Sequence, residues 1–233
     1  MPDPANILLV HGAWADGSSW SRVIKVLQAS GHNVAAVQLP HTSHPDNVTF
    51  ARHAIEAFSG PVVAVGHSYG GMVIADASHA NSKVSALVFI AAFALDEGES
   101  LASLAKQGPA LPSSTHIRPN AYGYLFIDPA TFANDFAADV AVADARVMAA
   151  VQKPIHASIF EAKAGPPGWK EHPSWYQVSE NDGMIPPDAE RFFAKRISAK
   201  KTLSLPSSHA SLISHPQEVA TLILEAAQGT ASR

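Results

Sequence analysis

The chain has 233 residues, 47% of them hydrophobic and 15% charged, with a formal net charge of −4 and no cysteine. This length suits one domain, or a core domain with an insert, and the composition is that of a globular protein. A basic nucleic-acid-binding surface, disulfides and thiolate metal sites are excluded, and no apolar run is long enough to span a membrane. The first residues lack the basic and apolar regions of a signal peptide, so the expected location is the cytoplasm.

Strand and helix patterns alternate over the first ninety residues. Four short apolar runs, typical of strands buried on both faces, fall at 7–10, 34–37, 61–65 and 86–90. Helical patterns lie between them at 19–30, 48–58 and 69–79. The first helix is predicted to have Ser18 or Ser19 as its N-cap and to stop at Gly31. Strict alternation of strand and helix predicts right-handed crossovers and a parallel sheet.

The alternation breaks in the middle of the chain and returns near its end. From 94 to 173 several prolines interrupt the pattern, no clear buried strand is present, and Asp128-Pro129 is predicted to open a helix. Strands are predicted again at 175–178 and 202–205, and helices at 187–197 and 215–227. We therefore predict an α/β fold with a mostly parallel sheet of about six strands, flanked by helices, and a mainly helical insert after the strand at 86–90.

The segment Gly66-His67-Ser68-Tyr69-Gly70 lies where a predicted strand gives way to a predicted helix. This is the context of the G-x-S-x-G nucleophile elbow, in which a tight turn exposes a serine hydroxyl above the sheet. Glycine at 66 and 70 avoids side-chain clashes in such a turn, whereas His67 is expected to point away from the serine and to be packed. The alternative interpretation is a glycine-rich turn that holds a serine by chance. The strand–helix context favours Ser68 as a nucleophile.

A serine nucleophile needs a histidine base and an acid that orients this base, in the chain order Ser, acid, His. Asp182 follows the next-to-last predicted strand and His209 follows the last one. Both therefore lie at carboxyl ends of parallel strands, where ligands and catalytic groups gather. Glu180 competes with Asp182, and a loop histidine is most often a solvated side chain. Order and position together predict the catalytic triad Ser68, Asp182 and His209.

Two backbone N–H groups are expected to bind the oxyanion that forms in acyl transfer. One belongs to Tyr69, directly after the serine. The other belongs to Ala13, in the loop after the first strand, where Gly12 lets the main chain approach the site. His41 and His44 have a spacing found in some metal sites, but no further ligands cluster near them, so no metal site is expected.

The stretches LLVHGAW, GHSYGG, SENDGMIPP and SSHASLISHP together resemble the α/β-hydrolase superfamily. More narrowly, they are similar to its small cofactor-free branch of plant methylesterases, hydroxynitrile lyases and bacterial esterases. The resemblance implies an α/β-hydrolase core domain formed by 1–93 and 174–233. It further implies a cap or lid at 94–173 over the serine, and no cofactor.

Two residues depart from the hydroxynitrile lyases of this branch. Those lyases carry a threonine after the histidine that follows the first strand, and a lysine after the catalytic histidine. Gly12 and Ala210 stand at the two positions here. Because the lysine charge stabilises departing cyanide in the lyases, its absence points to hydrolysis.

The expected function is hydrolysis of small carboxylic esters through an acyl-enzyme intermediate, by a carboxylesterase-like monomer or homodimer. Neither a nucleic acid nor a membrane is an expected partner. Alternatives with the same residues are a lactonase or amidase, a hydroxynitrile lyase-like enzyme, and a small-molecule receptor. Aromatic side chains are predicted to line the pocket, although each also fits a structural role in the core. They are Trp14, Tyr69, Phe126, Phe132, Phe136 and Trp169.

Overall fold

The apolar runs of the sequence form strands, and the amphipathic patterns between them form helices, in a computed structural model that describes residues 4–106 and 111–230. The described residues contain nine strands: β1 (Asn6–Val10), β2 (Asn33–Ala36), β3 (Val62–His67), β4 (Val84–Ile90), β5 (Ile117–Pro119), β6 (Tyr124–Ile127), β7 (Ile155–His156), β8 (Ser174–Ser179) and β9 (Thr202–Leu205). Their α-helices are α1 (Ser21–Ala29), α2 (His44–Glu56), α3 (Tyr69–Ser78), α4 (Leu101–Ala105), α5 (Phe132–Phe136), α6 (Val142–Val151), α7 (Ser158–Glu161), α8 (Pro187–Arg196), α9 (Ser211–Ser214) and α10 (Pro216–Gln228). Within the described ranges, no helix is both long enough and apolar enough to cross a bilayer.

Six of these strands form one parallel sheet in the order β2-β1-β3-β4-β8-β9. The strands β1, β3 and β8 are buried along their whole length. Among the flanking helices, α1 packs against α10, and α2 packs against α3. The register pairs Val10 with Gly66, and Ser179 with Leu205, so the carboxyl ends of the strands lie along one edge. The predicted six-stranded α/β sheet is thus confirmed, and the loops that follow its strands meet on one side.

The first helix begins later than the sequence pattern predicts. A short 3₁₀ helix, Gly17–Trp20, comes first, because the Asp16 side chain accepts a hydrogen bond from Ser18 N at 2.7 Å and caps this turn. The N-cap residue of α1 itself is Trp20, whose side chain makes no capping hydrogen bond, so the prediction of Ser18 or Ser19 is wrong. The predicted stop at Gly31 is confirmed, since this residue has a φ of 84°, which glycine adopts without strain.

Two further helices start at residues other than the predicted ones. The helix α2 starts at His44, four residues earlier than the apolar pattern indicates, because the Ser43 side chain caps it. The helix α5 starts at Phe132 and not at the Asp128-Pro129 pair. The Asp128 main-chain oxygen instead accepts a hydrogen bond from Phe132 N at 3.0 Å, in a turn that precedes the helix.

The segment between β4 and β8 contains α4 to α7 and also a small antiparallel sheet in the order β5-β6-β7. The sequence indicates a mainly helical segment without a clear buried strand, and it does not predict this small sheet. These strands have two to four residues and are mostly half-buried or exposed, so they lack the continuous apolar run that marks a buried strand. The small sheet attaches to the main one near the loop after β1, where Trp14 Nε1 donates to Leu125 O at 3.1 Å.

Candidate active site

Ser68 lies at the sharp turn between β3 and α3. Its φ of 53° and ψ of −124° are strained for a residue with a side chain. Such strain typically costs about 1–3 kcal/mol and persists only where the surroundings enforce it. The Ser68 N–H donates to Ile90 O at 3.2 Å, and Ser68 O accepts from Gly71 N at 3.0 Å and from Phe93 N at 3.1 Å. The end of β4, the segment after it and the first turn of α3 therefore hold the serine in this strained turn.

The glycines on either side of Ser68 are packed too tightly to carry a side chain. A β-carbon on Gly66 would lie 2.5 Å from Gly70 O, and a β-carbon on Gly70 would lie 2.5 Å from Val10 O. Both clashes involve main-chain atoms of the sheet and the helix, which cannot rotate away as a flexible side chain can. These contacts agree with the steric requirement for glycine in an elbow.

Asp182 and His209 are brought into contact although 27 positions separate them in the chain. His209 Nδ1 lies 2.6 Å from Asp182 Oδ2, and both side chains are buried. Asp182 Oδ1 accepts hydrogen bonds from Met184 N at 2.6 Å and from Ile185 N at 2.8 Å. Burial alone raises the pKa of Asp182, but the His209 charge and these hydrogen bonds outweigh burial and hold that pKa below its usual value. Asp182 is therefore an ionised acceptor that keeps a proton on His209 Nδ1.

The loops after β8 and β9 are tied to each other by their main chains, since Asn181 N donates to Ser207 O at 3.0 Å. Glu180, the other acid of the first loop, forms an ion pair with Arg191 on α8. Of the two acids, Asp182 is the one that contacts the histidine.

His67 is packed as expected, but it also contacts the loop that carries His209. The His67 Nε2–H donates to the His209 main-chain oxygen at 2.8 Å, and the two rings are 4.7 Å apart. Burial, and then the neighbouring His209, lower the pKa of His67 to about 3, so this ring is neutral. The residue before Ser68 therefore anchors the main chain of His209. The sequence does not predict this contact. The one local signal for it is that His67 stands directly before Ser68.

The two main-chain N–H groups predicted to bind the oxyanion are those of Ala13 and Tyr69. Tyr69 N is the first N–H of α3, Ala13 follows Gly12, and neither group has an acceptor among the described residues. His11 supports the Ala13 loop. Its Nε2 accepts from Leu39 N at 3.0 Å, so its Nδ1 carries the proton and donates to Gly12 O at 2.9 Å. Two unpaired N–H groups beside a serine are suited to bind an oxyanion.

The Tyr69 side chain extends into a buried polar network behind the site. Its hydroxyl accepts from Asn47 Nδ2 at 2.8 Å and lies 3.0 Å from His44 Nδ1. His44 Nε2 in turn lies 2.8 Å from Asp76 Oδ2. The His41 ring packs against the Tyr69 ring, with centroids 6.2 Å apart. In residues 4–106 and 111–230, no three His, Asp or Glu side chains are grouped as metal ligands would be.

A cavity of about 290 Å³ lies between the segment after β1, α6 and α9. Its apolar lining includes Trp14, Phe132, Phe136, Met148, Leu212 and Ile213. The Phe136 ring also packs against the His209 ring, with centroids 4.8 Å apart, so the lining contacts the base. Ser68, Asp182 and His209 do not themselves line the cavity. Of the six aromatic residues predicted for the pocket, three do not line this cavity: Tyr69, Phe126 and Trp169.

Three known proteins are similar to this chain over different lengths. The carbendazim hydrolyzing esterase of Nocardioides sp. is 39% identical over 114 aligned positions, which cover 43% of this chain and 47% of that enzyme. Polyneuridine aldehyde esterase of Rauvolfia serpentina is 24% identical over 94% of each chain. The crystal structure of a pyrethroid hydrolase from Sphingobium faniae superposes with a TM-score of 0.83 at 23% identity, and covers 98% of this chain and 99% of that one.

The sequence model of the alpha/beta hydrolase family matches residues 7–222. The match runs from β1 into α10, so it includes the serine turn and both loops that carry Asp182 and His209. The superposition on the solved pyrethroid hydrolase shows the same fold. The chain belongs to the alpha/beta hydrolase family.

Proposed function

We propose that the protein is a serine hydrolase of small carboxylic esters, with Ser68 as nucleophile, His209 as base and Asp182 as the acid that orients the base. The observation that carries this proposal is the buried Asp182–His209 pair, at the same sheet edge as a serine in a strained strand–helix turn. The names of two similar proteins, a carbendazim hydrolyzing esterase and a pyrethroid hydrolase, support hydrolytic chemistry.

Each step of acyl transfer has a group that performs it in this proposal. Because Asp182 keeps a proton on Nδ1, His209 Nε2 accepts the Ser68 proton as Oγ attacks the ester carbonyl carbon. The oxyanion of the tetrahedral intermediate accepts hydrogen bonds from Ala13 N and Tyr69 N. His209 then protonates the departing alcohol and afterwards activates the water that hydrolyses the acyl-enzyme.

We also propose that residues 94–173 form a cap on a core of 1–93 and 174–233. The hydrogen bond from Trp14 to Leu125 supports this division, since it joins the loop after β1 to the small sheet. The cavity between core and cap has about 290 Å³, and its lining is largely apolar but includes the charged residues Asp16, Arg22 and Asp144. This volume is near the lower end of small-molecule pockets, which measure about 300–1,000 Å³. It suits an ester with one uncharged apolar group of modest size.

Filling the cavity is expected to change substrate choice. Met148 is a half-buried lining residue on α6. We expect Met148→Trp to lower kcat/KM for p-nitrophenyl octanoate by about tenfold or more, and that for the acetate by about twofold at most. Val142→Trp is the matched control, because Val142 lies on the same helix but is 66% exposed and outside the lining. Equal losses for both esters in Met148→Trp would contradict the proposed use of this cavity.

Adding a methyl group at Gly12 is expected to displace the serine hydroxyl. A β-carbon on Gly12 would lie 2.6 Å from Ser68 Cβ and 3.2 Å from Ser68 Oγ. We expect Gly12→Ala to lower kcat/KM by about a hundredfold, because small misplacements of reacting groups have such effects. Gly165→Ala is the control, since its β-carbon would meet no atom nearer than 3.5 Å. A folded Gly12→Ala variant with parental kcat/KM would show that the loop does not border the reacting atoms.

The function is tested by turnover of p-nitrophenyl acetate, butyrate and octanoate, with cyanide release from a cyanohydrin assayed in parallel. Multiple turnover of the esters is expected. Ala210, which stands where the related lyases carry a lysine, is fully buried and uncharged, and this favours hydrolysis. Cyanide release without ester turnover would instead identify a lyase, and tight binding with a single turnover would identify a receptor.

A further inference from the structure

Glu190 is a second carboxyl group buried beside the proposed acid of the triad. It lies on α8 and is 0% exposed. Its Oε2 accepts a hydrogen bond from Ser179 N, at the end of β8, at 2.8 Å. Its Oε1 is also buried, and as an ionised oxygen it has no hydrogen-bond donor among the described residues. Asp182 lies on the other side of Ser179, since Asp182 N donates to the Ser179 main-chain oxygen at 3.3 Å.

Two ionised carboxylates that lie side by side inside a protein repel each other strongly, because no water is present to screen their charges. An ionised Glu190 would face this repulsion and would also leave Oε1 unpaired. Asp182 is stabilised as an anion by His209 and by two main-chain N–H groups, so it is not the group that takes up a proton. A proton on Glu190 Oε1 removes both problems, because the new O–H donates to Asp182 while Oε2 still accepts from Ser179.

We propose that Glu190 is held as a neutral carboxylic acid whose O–H donates to Asp182, and that it is a positioning residue for the Asp182–His209 pair. This role rests on the proposed function, since Glu190 acts through the triad. The O–H holds the Asp182 carboxylate with Oδ2 toward His209. The neutral form also keeps a second negative charge away from the histidine.

The titratable groups around Glu190 are consistent with a neutral acid. Burial, then the neighbouring Asp182 charge, raise the pKa of Glu190 well above its usual value, and Glu180 adds to the rise. Burial raises the pKa of Tyr176, on the adjacent strand β8, so this phenol brings no charge. Arg191, the next residue on α8, forms its ion pairs with other carboxylates, Glu180 among them.

The raised pKa has a consequence for stability at different pH. Above the usual range of a glutamate the unfolded chain releases this proton while the folded protein keeps it. The contribution of Glu190 to stability therefore falls as pH rises from that range toward the pKa in the folded state. In Glu190→Gln, the amide donates to Asp182, accepts from Ser179 and has no proton to lose. We expect this variant to have a Tm advantage over the parent that grows between mildly acidic and alkaline pH.

The activity test compares Glu190→Gln with Glu190→Leu. We expect the glutamine variant to keep kcat/KM within about threefold of the parent. The leucine variant is expected to lose about tenfold or more, because it removes the donor to Asp182 and leaves the Ser179 N–H unpaired. Glu180→Gln is the matched control, since Glu180 is paired with Arg191. It is expected to leave kcat/KM unchanged.

Infrared spectroscopy of the resting protein detects the Glu190 proton without turnover. At neutral pH the parent is expected to show the carbonyl stretch of a buried carboxylic acid. This band is expected to be absent from Glu190→Gln and present in Glu180→Gln and Ser68→Ala. A parent without the band, or a Glu190→Gln variant whose Tm varies with pH as the parent's does, would overturn the proposal. Because the band needs no catalysis, failure of the esterase function would appear separately, as absent turnover with the band intact.

Discussion

Replacing Ser68 with alanine is expected to lower kcat for ester hydrolysis by roughly 10⁴- to 10⁶-fold, because the hydroxyl is the proposed nucleophile. The substitution keeps the β-carbon, so the strained turn and its main-chain hydrogen bonds to Ile90, Gly71 and Phe93 are expected to persist. Turnover of p-nitrophenyl butyrate measures the loss, and an unchanged Tm shows that the fold is retained.

A matched serine tests whether this loss is specific. Ser78, at the other end of α3, is also buried, and its hydroxyl donates to Ala75 O at 3.1 Å. Ser78→Ala is expected to retain the parental kcat. Turnover by Ser68→Ala close to that of the parent would refute the assignment of the nucleophile.

Replacing Asp182 with asparagine is expected to lower kcat by about 10⁴-fold, through the wrong tautomer of the histidine. Met184 N and Ile185 N both donate to Asp182 Oδ1, so the oxygen of the new amide is expected to stay at that position. The amide nitrogen then faces His209 Nδ1 as a donor. This forces the ring proton onto Nε2, which can no longer accept the Ser68 proton. Steady-state kinetics on p-nitrophenyl butyrate check the expectation.

The control for this variant is Glu180→Gln, which makes the same chemical change in the same loop. Glu180 is partly exposed and paired with Arg191, and exposed ion pairs of this kind contribute about 0.2–1 kcal/mol. We expect its kcat to stay within about twofold of the parent's. A large loss in Glu180→Gln together with an active Asp182→Asn would move the role of the acid to Glu180.

Much of the core could be predicted from the sequence because its signals are local. Apolar runs mark the buried strands β1, β3 and β4, and the glycines around Ser68 mark a tight turn directly after one of them. Asp182 and His209 needed one further rule, that loops after parallel strands meet at one edge of the sheet. In the structure these two side chains are in contact.

Other features depend on contacts between distant segments and leave no local pattern. The strands of the small sheet are short and partly exposed, so neither their periodicity nor their apolar content distinguishes them from loops. Glu190 lies on an amphipathic helix with charged neighbours, where an acid normally faces solvent. Its burial follows from the packing of α8 against β8. The contact between His67 and the main chain of His209 likewise joins residues 142 positions apart.

The strand β9, which precedes the proposed base His209, lies at the edge of the sheet, so the two proposed catalytic residues follow strands of different local stability. Among the described strands it pairs with β8 alone, over four residue pairs, and most of its residues are half-buried or exposed. Ser68 follows β3, which is buried along its length in the middle of the sheet. Partly exposed segments open locally at lower free energy than central strands do. Local opening of β9 would displace His209 while the turn that carries Ser68 stays folded. On heating, activity is therefore expected to be lost at a lower temperature than the one at which the core unfolds.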